Sequence, residues 1–321
     1  MIWFYLFVFL VSCIFLAKSS SWLIRSLIRI SQFLRWKEFV VSFILMAFAS
    51  SLPELFIGIS AALKQVSELS FGNIIGANII NLTLVIGISA VLAGGIKMES
   101  HVAQKDSLYT AFIAILPVIA LLDGIISRAD AVILILVTLF YFSQVFSQKD
   151  IFTKIFKNGF QRRTKRLRQR FFFDLFLFVV SVLLLIAAAE GVTRSATFFA
   201  QYINLPLIFI GTIIVAIGTA LPEFIFGVKS VLMGRKDMVI GNVMGCVVVT
   251  SSLVLGVVSL ISPIRVFDFS PFLAGIIFIF ISAIAFYIFA RHQEHISKKE
   301  GQALILIYCF FVLFEVLAQV W

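Results

Sequence analysis

Charge is what this sequence has least of. Only 13% of its 321 residues are charged, against 61% hydrophobic, and the mean hydropathy is +1.11. Those values exclude an ordinary soluble domain. The alternating segments of a transmembrane barrel are absent too. Histidine occurs only at positions 101, 292 and 295, and neither HExxH nor GxSxG is present. The chain therefore lacks the metal triad or activated nucleophile that a membrane-embedded hydrolase needs. Its three cysteines, Cys13, Cys246 and Cys309, form no CxxC pair and read as packed thiols, not a disulfide or metal framework. A basic segment ahead of the first apolar run is missing as well. Met1 to Ala17 accordingly reads as a spanning helix and not a cleaved signal.

What is present is a succession of apolar runs, near 1–24, 39–63, 70–94, 107–123, 129–147, 171–200, 204–232, 238–262, 270–290 and 301–321. They predict ten spanning helices in an all-α polytopic membrane protein. The stretch from Ala17 to Phe39 is partly amphipathic and is expected along the membrane surface. With the N-terminus outside, alternate loops hold twenty-two of the basic residues and the opposite loops only Lys64, Arg128, Arg194 and Arg265. That asymmetry predicts a cytoplasmic central loop and both termini outside, as expected for a cell (inner) membrane protein. The net charge of +10 is thus mainly a topology signal. Its largest cluster, Lys149 to Arg170, suits anionic lipid and lacks any nucleic-acid-binding motif. The basic loop 148–170 divides the chain into a first five-helix unit, 1–147, and a second, 171–321.

The two units share a repeat. Aligning Ala47–Ala90 with Ala216–Ser259, without gaps, makes twelve of 44 positions identical. Shared leucines carry little weight in so apolar a chain. Pro53-Glu54 against Pro222-Glu223 carries more, as does Gly72-Asn73-x-x-Gly76 against Gly241-Asn242-x-x-Gly245. The repeated stretches, about 40–94 and 208–262, are helical hairpins separated by an odd number of spans. They are expected to enter the membrane from opposite sides, with a site where they meet.

The candidate site follows from spacing. Ala47, Ser50, Ser51 and Glu54 fall on one helix face, and Ala216, Thr219, Ala220 and Glu223 repeat the pattern. Pro53 and Pro222 lack the N–H that would serve the carbonyls of Ala49 and Gly218, so spans two and seven should break there. A broken helix at membrane depth is tolerated where it lines a cavity. Two carboxylates, hydroxyls and freed carbonyls would form an all-oxygen shell suited to a hard cation such as Ca²⁺ or Na⁺. On the second helix of each hairpin, Ala77 and Asn81 share a face, as do Cys246 and Thr250. Asn73 and Asn242 are equally consistent with packing. Glu190 and Glu315 fall near span ends and are expected at the interface. His292, Glu294 and His295 read as a solvated loop. A single intramembrane glutamate can be structural, but two at equivalent positions after prolines point to function.

These motifs resemble the two α-repeats of sodium/calcium exchangers, in the calcium/cation antiporter superfamily. The resemblance covers essentially the whole chain and is closest to the compact prokaryotic form. It implies ten helices as two inverted five-helix repeats, with Glu54 and Glu223 as central ligands for transported Ca²⁺ and Na⁺. Ser50, Ser51, Thr219, Asn81 and the carbonyls of Ala47 and Ala216 would complete the shell, with Cys246 and Thr250 at further ligand positions. Spans one and six would slide across the rest. The resemblance implies no enzyme activity, no bound cofactor and no obligate protein partner. The chain departs from the family pattern at Ala77, Ala220, Cys246 and Thr250. The expected function is Ca²⁺/Na⁺ antiport. The alternative is Ca²⁺/H⁺ or other cation antiport, with protons on the two glutamates where hydroxyl ligands are missing.

Overall fold

A computed structural model describes residues 1–34, 45–97, 101–147, 165–234, 236–266, 268–292 and 295–318. The described residues are almost entirely helical. The longest helices are α1 (Ile2–Leu34) and α8 (Lys165–Ile203). At 1.5 Å per residue each exceeds the ~30 Å hydrocarbon core of a bilayer, so their ends reach past it. They pack along one another. Tyr5 stacks on Phe198 with ring centroids 3.9 Å apart, and the Arg29 guanidinium lies 3.1 Å from Asp174. Low residue numbers on one helix meet high numbers on the other, so the two run antiparallel. The expectation of a surface-lying segment after Ala17 is corrected here. The helix continues to Leu34, with Ser19, Ser20, Leu23 and Ser26 buried. The basic residues Arg25 and Arg29 occupy its other, exposed side and create the amphipathic pattern.

The expected span two contains α2 (Leu45–Ser50) and α3 (Leu52–Leu63). Span seven is α9 (Leu207–Ile210), a π-helical turn (Gly211–Val215), α10 (Ala216–Thr219) and α11 (Leu221–Leu232). Both break where proline chemistry requires. Ser51 (φ −85°, ψ 3°) and Ala220 (φ −76°, ψ −4°) leave regular helix geometry. Pro53 and Pro222 then occupy the first turn of the new helices, where a missing N–H costs nothing.

Spans three and eight are α4 (Ser67–Ile80) continuing through a π turn (Asn81–Val85) into α5 (Ile86–Ala93), and α12 (Asp237–Val248) continuing through a π turn (Val249–Val254) into α13 (Leu255–Ile261). The π turns begin at Asn81 and one residue before Thr250, equivalent places in the repeat. Such turns commonly mark functional positions. The two spans are antiparallel: Ser67 donates to the Ser262 carbonyl at 3.3 Å, while Asn78 donates to Ser251 Oγ at 2.7 Å.

The remaining long helices are α6 (His101–Ala120), α7 (Arg128–Ser147), α14 (Leu273–Arg291) and α15 (Lys298–Leu317). Four short strands tie the halves crosswise. β1 (Ile96–Lys97) pairs antiparallel with β4 (His295–Ile296), and β2 (Ile125–Ile126) with β3 (Ile264–Arg265). Helix α5 packs on α15 and α13 on α7. Each half therefore lends its last helix to the other.

Seven described stretches are long and apolar enough to cross a membrane. Over an 18-residue apolar window in each, 83% of Ser67–Ala93 and 78% of Met238–Ile261 is buried, against 28% of Ile2–Ser26 and 22% of Phe171–Ile203, which puts the second helix of each hairpin in the core and the α1/α8 pair at its edge. The outer faces of that pair carry exposed Trp3, Phe4, Phe7, Phe172, Phe173 and Phe176. Inside, backbones touch. A Cβ on Gly72 would lie 2.2 Å from the Ile208 carbonyl oxygen and one on Gly76 2.0 Å from that of Thr212. Small residues let helices approach this closely in a bilayer, where dispersion contacts hold them together.

Candidate functional site

The two helix breaks face each other at the centre of this core. Glu54 and Glu223, in the first turns of α3 and α11, are both fully buried and close enough to interact electrostatically. A carboxylate at a helix N-terminus is favoured by the helix dipole, but that does not offset burying two like charges. Thr219 lies beside Glu54, yet its hydroxyl also reaches Asn73 Oδ1 at 3.0 Å and the Ala216 carbonyl at 3.2 Å. Both Glu54 oxygens, Glu223 Oε2 and Asn81 Oδ1 are buried without a hydrogen-bond partner among the described residues. Orphaned buried acceptors are costly. Two acidic groups with three free oxygens between them, joined by a free amide oxygen, match the needs of a cation.

Cys246 stands in the middle. Its sulfur accepts from Ser51 Oγ at 3.3 Å and from Asn81 Nδ2 at 3.6 Å, and its thiol donates to Glu223 Oε1 at 3.5 Å. Ser50 also lies beside it. Sulfur therefore lies among the oxygens here, at one of the positions the sequence offered as a ligand. A thiol in an apolar run reads as packing, and only the tertiary arrangement shows what it touches.

Thr250 sits one step away. Its hydroxyl reaches Asn78 Oδ1 at 2.8 Å and the Cys246 carbonyl at 2.9 Å, so it joins the cluster through hydrogen bonds and not through a carboxylate. The Ala216 carbonyl accepts the Ala220 N–H at 2.9 Å as well as the Thr219 hydroxyl at 3.2 Å. Ala47 lies in α2, three residues ahead of Ser50. The carbonyl of Ala49, freed by Pro53, takes the Ser20 hydroxyl of α1 at 3.3 Å. The structure thus links Ser51, Asn81 and Glu223 through Cys246, with Ser50 beside the sulfur, Thr219 beside Glu54 and Thr250 one hydrogen bond behind.

Asn73, which spacing alone left equally consistent with packing, belongs to the same network, and so does Asn78. Asn73 receives the Thr219 hydroxyl, and Asn78 links Thr250 to Ser251. Their place in the Gly-Asn-x-x-Gly-x-Asn run was the available signal. Asn242, the counterpart of Asn73, is buried.

Glu190 and Glu315, expected near span ends, differ in their surroundings. Glu190 lies well inside α8 and joins it to α3, with Lys64 Nζ at 2.8 Å, Arg194 Nε at 2.6 Å and Ser60 Oγ at 2.8 Å. Glu315, in the last turn of α15, is fully buried, next to the contact of Phe314 with Phe278 of α14. His292 pairs with Glu300 Oε1 at 2.8 Å, in the loop ahead of the Ser297–Glu300 capping box of α15. Glu294 lies outside the described residues.

Known proteins supply the family. The model of the sodium/calcium exchanger protein family matches residues 4–146 and 173–317, nearly the whole chain. The chain belongs to the sodium/calcium exchanger family. This is a family of membrane antiporters and not of enzymes. Sodium/calcium exchanger MaX1 of Methanosarcina acetivorans is 28% identical over 340 residues, covering 95% of this chain and 97% of its own. Inner membrane protein YrbG of Escherichia coli is 25% identical over 234 residues, 70% of each chain. The sodium-calcium exchanger NCX_Mj, in a structure soaked with 10 mM Na+ and 10 mM Sr2+, matches with a TM-score of 0.67. That match covers 98% of this chain and 99% of the other at 24% identity, and establishes the shared fold. As a family member the chain is a multi-pass membrane cation antiporter, and its ions are cargo, not bound cofactors.

Proposed function

We propose that this exchanger moves Ca²⁺ against Na⁺ by alternating access, with Glu54 and Glu223 as the central ligands. The observation that carries the reading is the pair of fully buried carboxylates at equivalent helix breaks, whose oxygens lack protein partners. Ser50, Ser51, Thr219, Asn81 and the carbonyls of Ala47 and Ala216 complete the ligand set, with Cys246 and Thr250 at its edge. Two formal charges balance one Ca²⁺ or the equivalent in monovalent ions. Exchange then follows, because an ion shifts the conformational equilibrium only by binding its states unequally.

Ten spans in two inverted five-helix units, 1–147 and 171–321, complete the proposal. Antiparallel contacts between spans one and six and between three and eight support it. So does the strand pairing: each pair joins loops that the basic residues assign to one side, β1 with β4 inside and β2 with β3 outside. The N- and C-termini then lie outside a cell (inner) membrane, and the loop 148–170 inside against anionic lipid. MaX1, named a sodium/calcium exchanger, supports the choice of ions.

The second reading, coupling to protons or another cation, is favoured by one feature. Ala77, Ala220 and Thr250 leave fewer oxygen ligands around the carboxylates than the family pattern supplies. Proteoliposomes separate the readings. Radioactive calcium should enter under an outward sodium gradient and not under an outward proton gradient. Uptake driven only by protons would replace sodium in the account, and uptake under neither gradient would overturn exchange.

A further inference from the structure

An oxygen-only site prefers hard ions, and this one has sulfur at its centre. Cys246 is fully buried, and its Sγ contacts Ser51, Asn81 and Glu223 at 3.3, 3.6 and 3.5 Å. The Asn81 amide that touches the sulfur has its Oδ1 free. The Glu223 carboxylate that accepts from the thiol has its Oε2 free, and both Glu54 oxygens are free. A thiol, a carboxylate and an amide thus converge with unused donor atoms. No three His, Cys, Asp or Glu side chains gather as a preformed centre among the described residues, so the amide and hydroxyl must contribute. The repeat counterpart of Cys246 is Ala77, which makes the sulfur one-sided.

We propose that Cys246 makes this site accept soft, calcium-sized divalent cations, with Cd²⁺ as the probe, through a metal–sulfur bond formed in competition with Ca²⁺. The proposal deepens the cation-site reading and rests on it. Thiolate ligands select soft ions and carboxylates alone do not. Binding forms a Cd–S bond, and the thiol proton passes to solvent. Glu223 and Glu54 supply the charge, while Asn81 Oδ1 and the Ser51 hydroxyl supply neutral oxygens. Soft ions would therefore inhibit or ride the exchanger where an all-hydroxyl site would ignore them.

The test uses the purified full-length protein, titrated with Cd²⁺ and followed by the ultraviolet thiolate-to-cadmium charge-transfer absorption. Cys13 and Cys309 are the other thiols, one buried and one exposed. In a Cys13→Ala/Cys309→Ala protein the absorption should appear, saturate at one Cd²⁺ per chain and fall as Ca²⁺ is added. Adding Cys246→Ser to that same background should abolish it, with Cd²⁺ competing against Ca²⁺ about tenfold or more less well, the scale on which metal affinity responds to lost ligand support. No absorption in the Cys13→Ala/Cys309→Ala protein, or an absorption indifferent to Ca²⁺, overturns the proposal whether or not Cys246→Ser folds. Because the readout is binding, failed calcium uptake by a protein that still shows the calcium-sensitive absorption would count against the transport reading alone.

Discussion

Replacing Glu54 or Glu223 with glutamine is expected to lower sodium-driven calcium uptake about a hundredfold or more, since losing one of two buried charges facing a dication costs roughly 3 kcal/mol. Glutamine keeps the shape and one acceptor oxygen, so the break after Ser51 or Ala220 and the proline turn survive. The change isolates charge. Both carboxylates are fully buried and close enough to interact, so when both are ionised they repel one another and a cation relieves that repulsion. Removing one carboxylate removes that repulsion as well. Each single variant should therefore be at least as resistant to thermal unfolding in detergent as the parent when divalent ions are absent. Loss of uptake together with loss of fold would point to a structural role. Loss of uptake with a retained or raised melting temperature is the expected outcome.

The second large effect is on stability. Gly76→Ala should lower the melting temperature of the purified protein by several degrees, and Gly72→Ala by a similar amount, because overpacking a rigid interface costs about 1–3 kcal/mol or more. The added methyl at 76 would sit 2.0 Å from the Thr212 carbonyl oxygen and 2.6 Å from the Ala216 Cβ. Backbone cannot yield as a side-chain tip can. The neighbours are also the segment leading to Thr219 and Glu223, so transport should fall with stability. Gly241, the repeat counterpart of Gly72, has nothing within 4 Å of its added Cβ. Gly241→Ala should be neutral or stabilise slightly, by up to about 1 kcal/mol, through helix propensity. Equal behaviour at 72 and 241 would contradict the observed packing.

That asymmetry marks the limit of what the sequence could say. The repeat makes Gly72 and Gly241 look alike, but only Gly72 lies under a crossing helix. The breaks were legible, because a proline without an N–H must begin a helix or interrupt one, and both do so at the expected residue. The long apolar runs were legible from hydropathy for the same reason that they enter a bilayer. The burial of Glu315 was not: a carboxylate near a run's end reads as interfacial, and only the packing beside α14 buries it. Cys246 was legible as a position and not as a contact, since a thiol looks the same to hydropathy whether it fills space or meets a carboxylate. Asn73 was ambiguous because an amide between two glycines fits a helix crossing as well as it fits a hydroxyl partner. The surface segment after Ala17 failed because two arginines on one side of α1 mimic an interfacial helix. Arg29 instead reaches the buried Asp174 of α8.

Glu190 gives the α1/α8 pair a second tie to the core, through Lys64 and Ser60 of the hairpin. Such a partly exposed pair contributes little to stability. Its value lies in orientation, holding α8 against α3 on the side where Arg194 also reaches Glu190.

The central claim is that Glu54 and Glu223, one from each repeat, form a single cation site. Equilibrium calcium binding to the purified protein tests it most directly. The account predicts one calcium site per chain, displaced by sodium, and lost when either glutamate alone becomes glutamine. Two independent sites, each surviving the loss of the other's glutamate, would contradict it.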